Sequence, residues 1–295
     1  MLRISIEMHD NQLQKFFYWI NERHKIYLKR QRGESWPWTE DKILQTYKFT
    51  NPFRENDRVT IWIRKNIREP YANSPELFFN LMLARLINWP DTLSKIGYIN
   101  NWNTAYVYNI LENRRVSGQK FITGAYMLTG TFGKRGTPKS WQIAHHCLER
   151  IWEMRREITP ILKDNLQSAY NRIMEIHPPG FGGFLTYEIV TELRHTRYLE
   201  NADDIMTWAH AGPGAKRGIN RLYGRDIKEP ISDGQALLIM NYLLDISPNF
   251  VVLEDLPILE LRDIEHSLCE WDKYMRALNG EGRPRSKFIP PHLRS

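Results

Sequence analysis

Cysteine is scarce. The 295-residue chain has two, Cys147 and Cys269, far apart and in no metal-ligand spacing. That excludes a disulfide scaffold and a four-cysteine metal cluster, and it suits a reducing compartment. No uninterrupted apolar run approaches the ~20 residues that a membrane-spanning helix needs. The opening stretch MLRISIEMHD lacks the basic segment followed by an apolar one that marks a secretory signal. Sustained alternation of apolar and polar residues, the mark of half-buried strands, is missing, and so is any internal repeat. The expectation from these absences is a soluble, cytoplasmic, mainly α-helical protein with no membrane partner.

Charge and aromatic rings are what the chain has. Against 34 Asp and Glu stand 41 Lys and Arg, a formal charge of +7. A basic balance favours an anionic partner, nucleic acid first among them. Ten Trp, fourteen Tyr and twelve Phe supply ring faces for a core or for stacking on bases. A hydrophobic fraction of 42% excludes wholesale disorder, and the length suits one large domain or two modest ones.

Helical periodicity accounts for most of the rest. Residues 10–31 carry Leu13, Phe16, Phe17 and Ile20 on one face, with Asp10 or Asn11 as cap. A second helical stretch runs from Lys42 to Arg68, broken near Asn51-Pro52. Ser74 before Pro75 opens a third, which stops at Trp89-Pro90. Periodicity returns over 102–115, 139–157, 159–176 and 184–195, and DIMTWA, beginning at Asp204, reads as a short helix. Near the end, Leu261, Ile264, Leu268, Trp271, Met275 and Leu278 recur three and four apart as one apolar stripe. The loop TGTFGKRGTPKS, residues 129–140, superficially resembles a phosphate-binding P-loop. The G-x-x-x-x-G-K-[ST] spacing is absent and no strand precedes it, so it reads as a basic surface loop.

One stretch asks for an explanation. HPPGFGGFLTYEIV, residues 177–190, places Gly180, Gly182 and Gly183 in a turn from which a helix starts at once. Glycine tolerates positive φ and lets an anion approach the backbone. The first N–H groups of the following helix then carry its partial positive charge outward, a grip for a phosphate. A tight helix–helix corner with the same glycines serves packing alone. A second glycine turn, GPGAKRG, brings Lys216, Arg217, Arg221 and Arg225 nearby, either as phosphate contacts or as a solvated basic face.

The glycine corner, and Asp203 and Asp204 lying 21 and 22 residues after Gly182, resemble the helix-hairpin-helix DNA glycosylases over roughly residues 74–210. The stretch PELFFNLMLARLINWPD looks like their first barrel helix, whose end wedges into the duplex. The resemblance implies a helical fold of two lobes with a DNA-binding cleft between them. It makes Asp204 the catalytic carboxylate, with Asp203 as second choice and helix capping as the plainer role for either. Gly180, Gly182, Gly183, Asn88, Trp89, Lys216, Arg217 and Arg221 become DNA contacts. Phe184 stands where backbone-cutting relatives carry a lysine, so the resemblance implies a monofunctional enzyme that leaves an abasic site. With two cysteines, the iron–sulfur cluster of some relatives is not expected. No cofactor is required, and a monovalent cation at the hairpin is consistent with this type of turn.

A narrower resemblance rests on FTNPFRENDRVTIWI, LINWPD, GFGGF, GPGAKRG, and RDIEHSLCEWDKY followed by GEGRPRS. Across nearly its whole length the chain is similar to alpha-glutamyl/putrescinyl thymine pyrophosphorylase, clade two, also known as the helical domain of 5-hydroxymethyluracil DNA kinase. That family implies hypermodified phage DNA bases, and its bacterial branch implies anti-phage excision of glucosylated hydroxymethylcytosine. The candidate base pocket is Trp19, Arg54, Asp57, Arg58, Trp208, His266 and Lys273. Arg54 and Arg58 share a face if their segment is helical, while Arg262, His266, Cys269 and Lys273 lie opposite the apolar stripe. Asp263 and His266 lack a third partner for a metal, and no metal is expected.

The expectation is therefore a monofunctional glycosylase acting on duplex DNA that carries modified bases, in a bacterial cytoplasm. Residues 1–41 form an N-terminal helix packing with the C-terminal lobe, 42–195 the helical barrel with the hairpin, and 196–295 the C-terminal lobe with a basic tail. The rivals are a transferase that joins an amine to pyrophosphorylated 5-hydroxymethyluracil, and a non-catalytic DNA-binding module.

Overall fold

Leu13, Phe16, Phe17 and Ile20 recur three and four apart, and in the computed structural model they carry one face of helix α1 (Asp10–Gln31) into a core. The structure describes residues 8–124, 136–159, 165–251, 257–284 and 286–290. Most of the basic 129–140 loop therefore lies outside the described residues, as does the end of the tail. The described residues are mainly helical and contain no strand, only an isolated bridge between Tyr47 and Lys287. No described helix is long and apolar enough to cross a membrane.

Packing divides the chain into two compact units. One is Met1–Asp57 together with Met206–Ser295; the other is Arg58–Ile205. The first begins with α1 and α2 (Lys42–Thr46). The second holds α3 (Arg58–Ile63), α4 (Leu77–Ile87), α5 (Pro90–Ile96), α6 (Thr104–Val116), α7 (Lys139–Trp141), α8 (Glu149–Ile158), α9 (Leu166–Ile176) and α10 (Gly183–Leu193). The first unit is completed by α11 (Pro213–Leu222), α12 (Asp233–Ile246) and α13 (Leu261–Leu278). These boundaries differ from those expected at residues 41 and 195. The physical reason is that 46–57 is tied to the C-terminal region: Lys48 N–H donates to the Ser286 carbonyl at 3.0 Å and Thr50 N–H to Glu270 at 2.9 Å.

In the first unit the stripe of α13 is buried from Leu261 to Met275, and only Leu278 emerges. Trp271 meets Phe16 edge-on at 5.6 Å, and Phe17 stacks on Phe250 at 4.6 Å. Full burial of such a side chain is worth about 1.5–3 kcal/mol, so this seam fixes α1 to the C-terminal helices. Helices α11 and α13 cross at close range because Gly214 and Gly218 face α13. A Cβ at Gly218 would meet the Leu268 carbonyl oxygen at 2.5 Å, and one at Gly214 would meet the Cys269 sulfur. The expected second glycine turn is thus mostly helix: Gly212 caps α11, Pro213 starts it, and the other two glycines are packing residues.

Helix α12 has no counterpart in the periodicity reading. Its start is marked by a capping box, the Ser232 side chain accepting from Gln235 N–H while Gln235 reaches back. The expected cap of α1 also changes: His9 occupies the position without a side-chain bond, and Asp10 lies in the first turn.

The second unit is centred on α4 and α10. Every residue of α4 and nine consecutive residues of α10 are buried, so neither of these stretches presents a face to solvent. Asn88 ends α4 in the left-handed region with φ 46°, a conformation that asparagine tolerates, and Trp89 then caps α5. Among the described residues, two π-helical segments interrupt the regular winding. Arg64–Arg68 prolongs α3, and Gln142–Leu148 joins α7 to α8.

Candidate functional site

In the first unit, residues 49–57 lie along the polar side of α13. Asn51 accepts from Phe53 N–H at 2.9 Å, and Asp57 accepts from Asn51 N–H at 2.8 Å, which folds the loop on itself. Arg54 donates to Asp57 at 2.7 Å, and Arg54 N–H donates to Asp263 at 3.4 Å. Thr50 reaches both His266, through its hydroxyl, and Glu270, through its N–H. Lys273 holds Glu270 at 2.6 Å and stands over the Phe49 ring at 4.8 Å. Arg262 is within 3.5 Å of Glu55 and of Glu260.

This layer is buried, which decides its electrostatics. Arg262, Asp263, Glu265 and Glu270 are each less than a tenth exposed, so the polar side of α13 is not a solvated face. Burial pushes the Asp263 carboxyl up to about 6, against the pull of Arg262. Burial also raises Asp57, although Arg54 and the Asn51 N–H favour its charged form. Asp263 also accepts from Glu260 N–H at 3.1 Å, part of a capping box at the start of α13.

Of the expected base pocket, Arg54, Asp57, His266 and Lys273 are brought to this layer. The others are not. Trp19 is fully buried in the core, 6.2 Å from Phe49, and Trp208 is buried too. Arg58 starts α3 in the second unit, and the intervening chain is a single 3₁₀ turn followed by extended Asp57, so Arg54 and Arg58 share no helix face. Asp263 and Glu270 were expected to flank the polar face of α13, but the acidic members Glu55, Glu260 and Glu265 were not among the expected residues. Glu265 and Glu270 were signalled as acids in a helix that also carries a full apolar stripe, whereas Glu55 lies in the 3₁₀ turn and Glu260 precedes α13 as its N-cap.

The expected cation cluster on α11 is largely internal. Arg221 is buried between Asp272 at 2.8 Å and Glu281, and Arg217 binds the other oxygen of Asp272 at 2.8 Å. Lys216 pairs with Asp233 at 2.7 Å on the more exposed side. Arg221 is thus not available as a phosphate contact, because its guanidinium neutralises a fully buried carboxylate.

In the second unit the glycine corner forms as a turn between α9 and α10. His177 and Gly180 take positive φ, 51° and 91°, Gly182 caps α10, and Gly183 is its first residue. Nothing lies within 4 Å of a Cβ placed at Gly182, so the turn is open on that side. Phe181 is buried beneath it and Phe184 is 56% exposed beside it.

Asp204 is elsewhere. Its two carboxylate oxygens accept the N–H groups of Leu166 at 2.8 Å and Gln167 at 2.9 Å, at the start of α9. The glycine corner follows the other end of that 11-residue helix, about 16 Å away at 1.5 Å per residue. Residues 203–207 form turns rather than the expected DIMTWA helix, and Asp203 is exposed. Asn88 is buried and accepts from Arg85 at 3.5 Å, which removes it from the DNA contacts expected for that corner. Trp89 stays partly exposed, with Lys120 4.0 Å and Arg58 5.6 Å from its ring centroid.

A second buried charge cluster was not foreseen. Arg85 of α4 meets Glu192 and, at 3.5 Å, Glu188 on α10; it also donates to Thr60 at 3.1 Å, and Arg68 lies 3.6 Å from Glu192. Glutamates four apart within the apolar run LTYEIVTEL were its sequence signal.

The chain is 27% identical over 290 residues to a protein named 5-hmdU DNA kinase from Bacillus phage SP10, covering 87% of this chain and 44% of that relative. It therefore spans less than half the length of the curated relative it matches. A kinase is a transferase, and this overturns the expected monofunctional glycosylase. Asp204 and Asp203 were expected as the catalytic carboxylates, and both oxygens of Asp204 are taken by the N–H groups at the start of α9. No solved structure matches the chain. Over residues 10–283 it matches the family described as 5-hmdU DNA kinase, helical domain, and it belongs to that family.

Proposed function

We propose that this chain acts in DNA base hypermodification, as a group transferase at the 5-hydroxymethyl substituent of a uracil base. The family assignment over residues 10–283 is the observation that carries the class of function. In the form supported best by the site, an amine displaces pyrophosphate from the activated base. The amine nitrogen forms a bond to the exocyclic carbon, the carbon–oxygen bond breaks, and pyrophosphate leaves with the electron pair. The ammonium so formed gives up one proton. Asp263, raised to about 6 by burial, is suited to receive it. The turn at Gly180–Gly182 and the start of α10 serve as a sequence-independent grip on a DNA phosphate.

The test uses DNA carrying 5-hydroxymethyluracil or its pyrophosphorylated form, incubated with the protein and putrescine, with and without ATP, and then digested to nucleosides for mass spectrometry. The expected result is an amine adduct from the pyrophosphorylated DNA alone, with Asp263→Asn losing turnover roughly 10²–10⁴-fold while retaining DNA affinity. An ATP-dependent gain of one phosphoryl group on the unactivated base would replace amine transfer by the activity that the relative's name states. No change in any nucleoside would reduce the chain to a binding module.

A further inference from the structure

The π-helical segment Arg64–Arg68 has a neighbour that the site above does not use. Such segments are rare and are frequent at functional sites. Beside it, within the second unit, opens a groove of about 250 Å³ walled by Trp62, Tyr71 and Tyr98, with Asn66 and Ser94 at its edge. Gly97 lines it as well, at φ 73°, and leaves that side without a side chain. Tyr71 and Tyr98 are already stacked, their centroids 3.6 Å apart and their planes 13° from parallel. Tyr71 is nevertheless 36% exposed. Its N–H donates to the Ile67 carbonyl at 3.2 Å, which fixes the ring pair to the π-helical segment.

These features select a ligand. A groove below the ~300–1,000 Å³ of pockets for drug-sized molecules has room for one ring system rather than a dinucleotide. Preordered aromatic faces favour a flat partner, because a ring added to an existing stack costs little side-chain entropy. Asn66 and Ser94, both exposed, offer donors and acceptors to a polar ring edge. Lys65 and Lys95, also exposed, each adjoin a residue of the groove, and Arg64 shares its charge with Glu69 at 3.6 Å. Exposed lysines next in sequence to two lining residues suit a base that arrives on a phosphate-bearing strand.

We infer that this groove is a stacking subsite for one unpaired pyrimidine base of a DNA strand, next to the reacting base or remote from it along the strand. The inference rests on the DNA-directed function proposed above. It is tested by measuring the affinity of the intact chain for a short single-stranded thymine oligonucleotide and for the same strand with abasic sites throughout. The abasic strand keeps the phosphates and removes the rings. Tyr71→Ala should weaken binding of the thymine strand roughly five- to hundred-fold and leave the abasic strand unaffected. Tyr71→Phe should bind both strands as the parent does. Equal affinity of parent and Tyr71→Ala for the thymine strand overturns the subsite, as does an equal loss on both strands. If the parent binds neither strand, the subsite falls, while the nucleoside assay above decides the DNA-directed function on its own.

Discussion

His24 shows what burial does to a single group. Its ring lies 4.7 Å from Phe53 and 5.8 Å from Tyr27, and it is 1% exposed. Burial first, and the neighbouring Arg23 second, push its pKa down from 6.5 to about 4, while Asn51 opposes them. The unfolded chain therefore takes up a proton below pH 6.5 that the folded chain refuses until about pH 4. The His24 contribution to stability is full above 6.5 and is lost as pH falls through that window. Each pH unit of such displacement is worth about 1.4 kcal/mol. Asp263 acts in the opposite sense, since its raised pKa favours the folded state on acidification. The difference between the parent and His24→Phe isolates the histidine: the parent should lose more thermal stability between pH 7 and pH 4.5. Parallel pH profiles for the two proteins would remove the effect assigned to this residue.

At the scale of elements, α9 depends on a residue that sequence alone assigns elsewhere. Asp204 supplies a cap from outside the helix, beside the local cap in which Asn165 accepts from Ser168 N–H at 2.9 Å. Asp204→Ala should cost about 0.5–2 kcal/mol of stability and leave DNA modification intact below the melting range. A variant that folds as stably as the parent but is inactive would restore a chemical role to this acid. An acid beyond a glycine corner was legible in the sequence; its partner was not, because Leu166 and Gln167 meet it only through the tertiary path of the chain. Helix α13 was legible down to its register, since an apolar stripe needs no knowledge of the fold. Its polar side was not, because whether charges there meet water or the 49–57 loop is settled by packing. Gly214 and Gly218 were misread for a similar reason: glycine marks a turn and a close helix crossing equally well, and the sequence does not show the opposing Leu268 carbonyl. Ser232 and Gln235 did announce α12 in local terms.

For the whole molecule, a formal charge of +7 overstates what is free to meet an anion. Arg54, Arg85, Arg217, Arg221 and Arg262 all lie in internal ion pairs. DNA affinity should fall linearly on a log–log plot against salt, with a slope of about 0.9 per phosphate contacted. Arg221→Ala should leave that slope unchanged and cost roughly 1.5–3 kcal/mol of stability, because the buried Asp272 loses one charge-assisted bond while Arg217 and Arg276 remain beside it. A shallower slope in this variant would place Arg221 on the nucleic acid after all. The composition pointed to the class of partner, whereas the location of the usable charge depends on which cations the fold consumes.

The first unit is assembled from both ends of the described chain, with the whole second unit inserted between Asp57 and Met206. A ribosome releases α1 long before it makes Phe250 and Trp271, which Phe17 and Phe16 need as neighbours. At about 5–20 residues per second, that interval lasts on the order of ten seconds to a minute. The inserted unit, being continuous, can close its own core meanwhile, while an aromatic helix surface waits uncovered for chain not yet translated. Birth order therefore sets the vulnerable moment of this protein: a nascent chain stalled after the inserted unit carries a finished domain and a sticky leading helix.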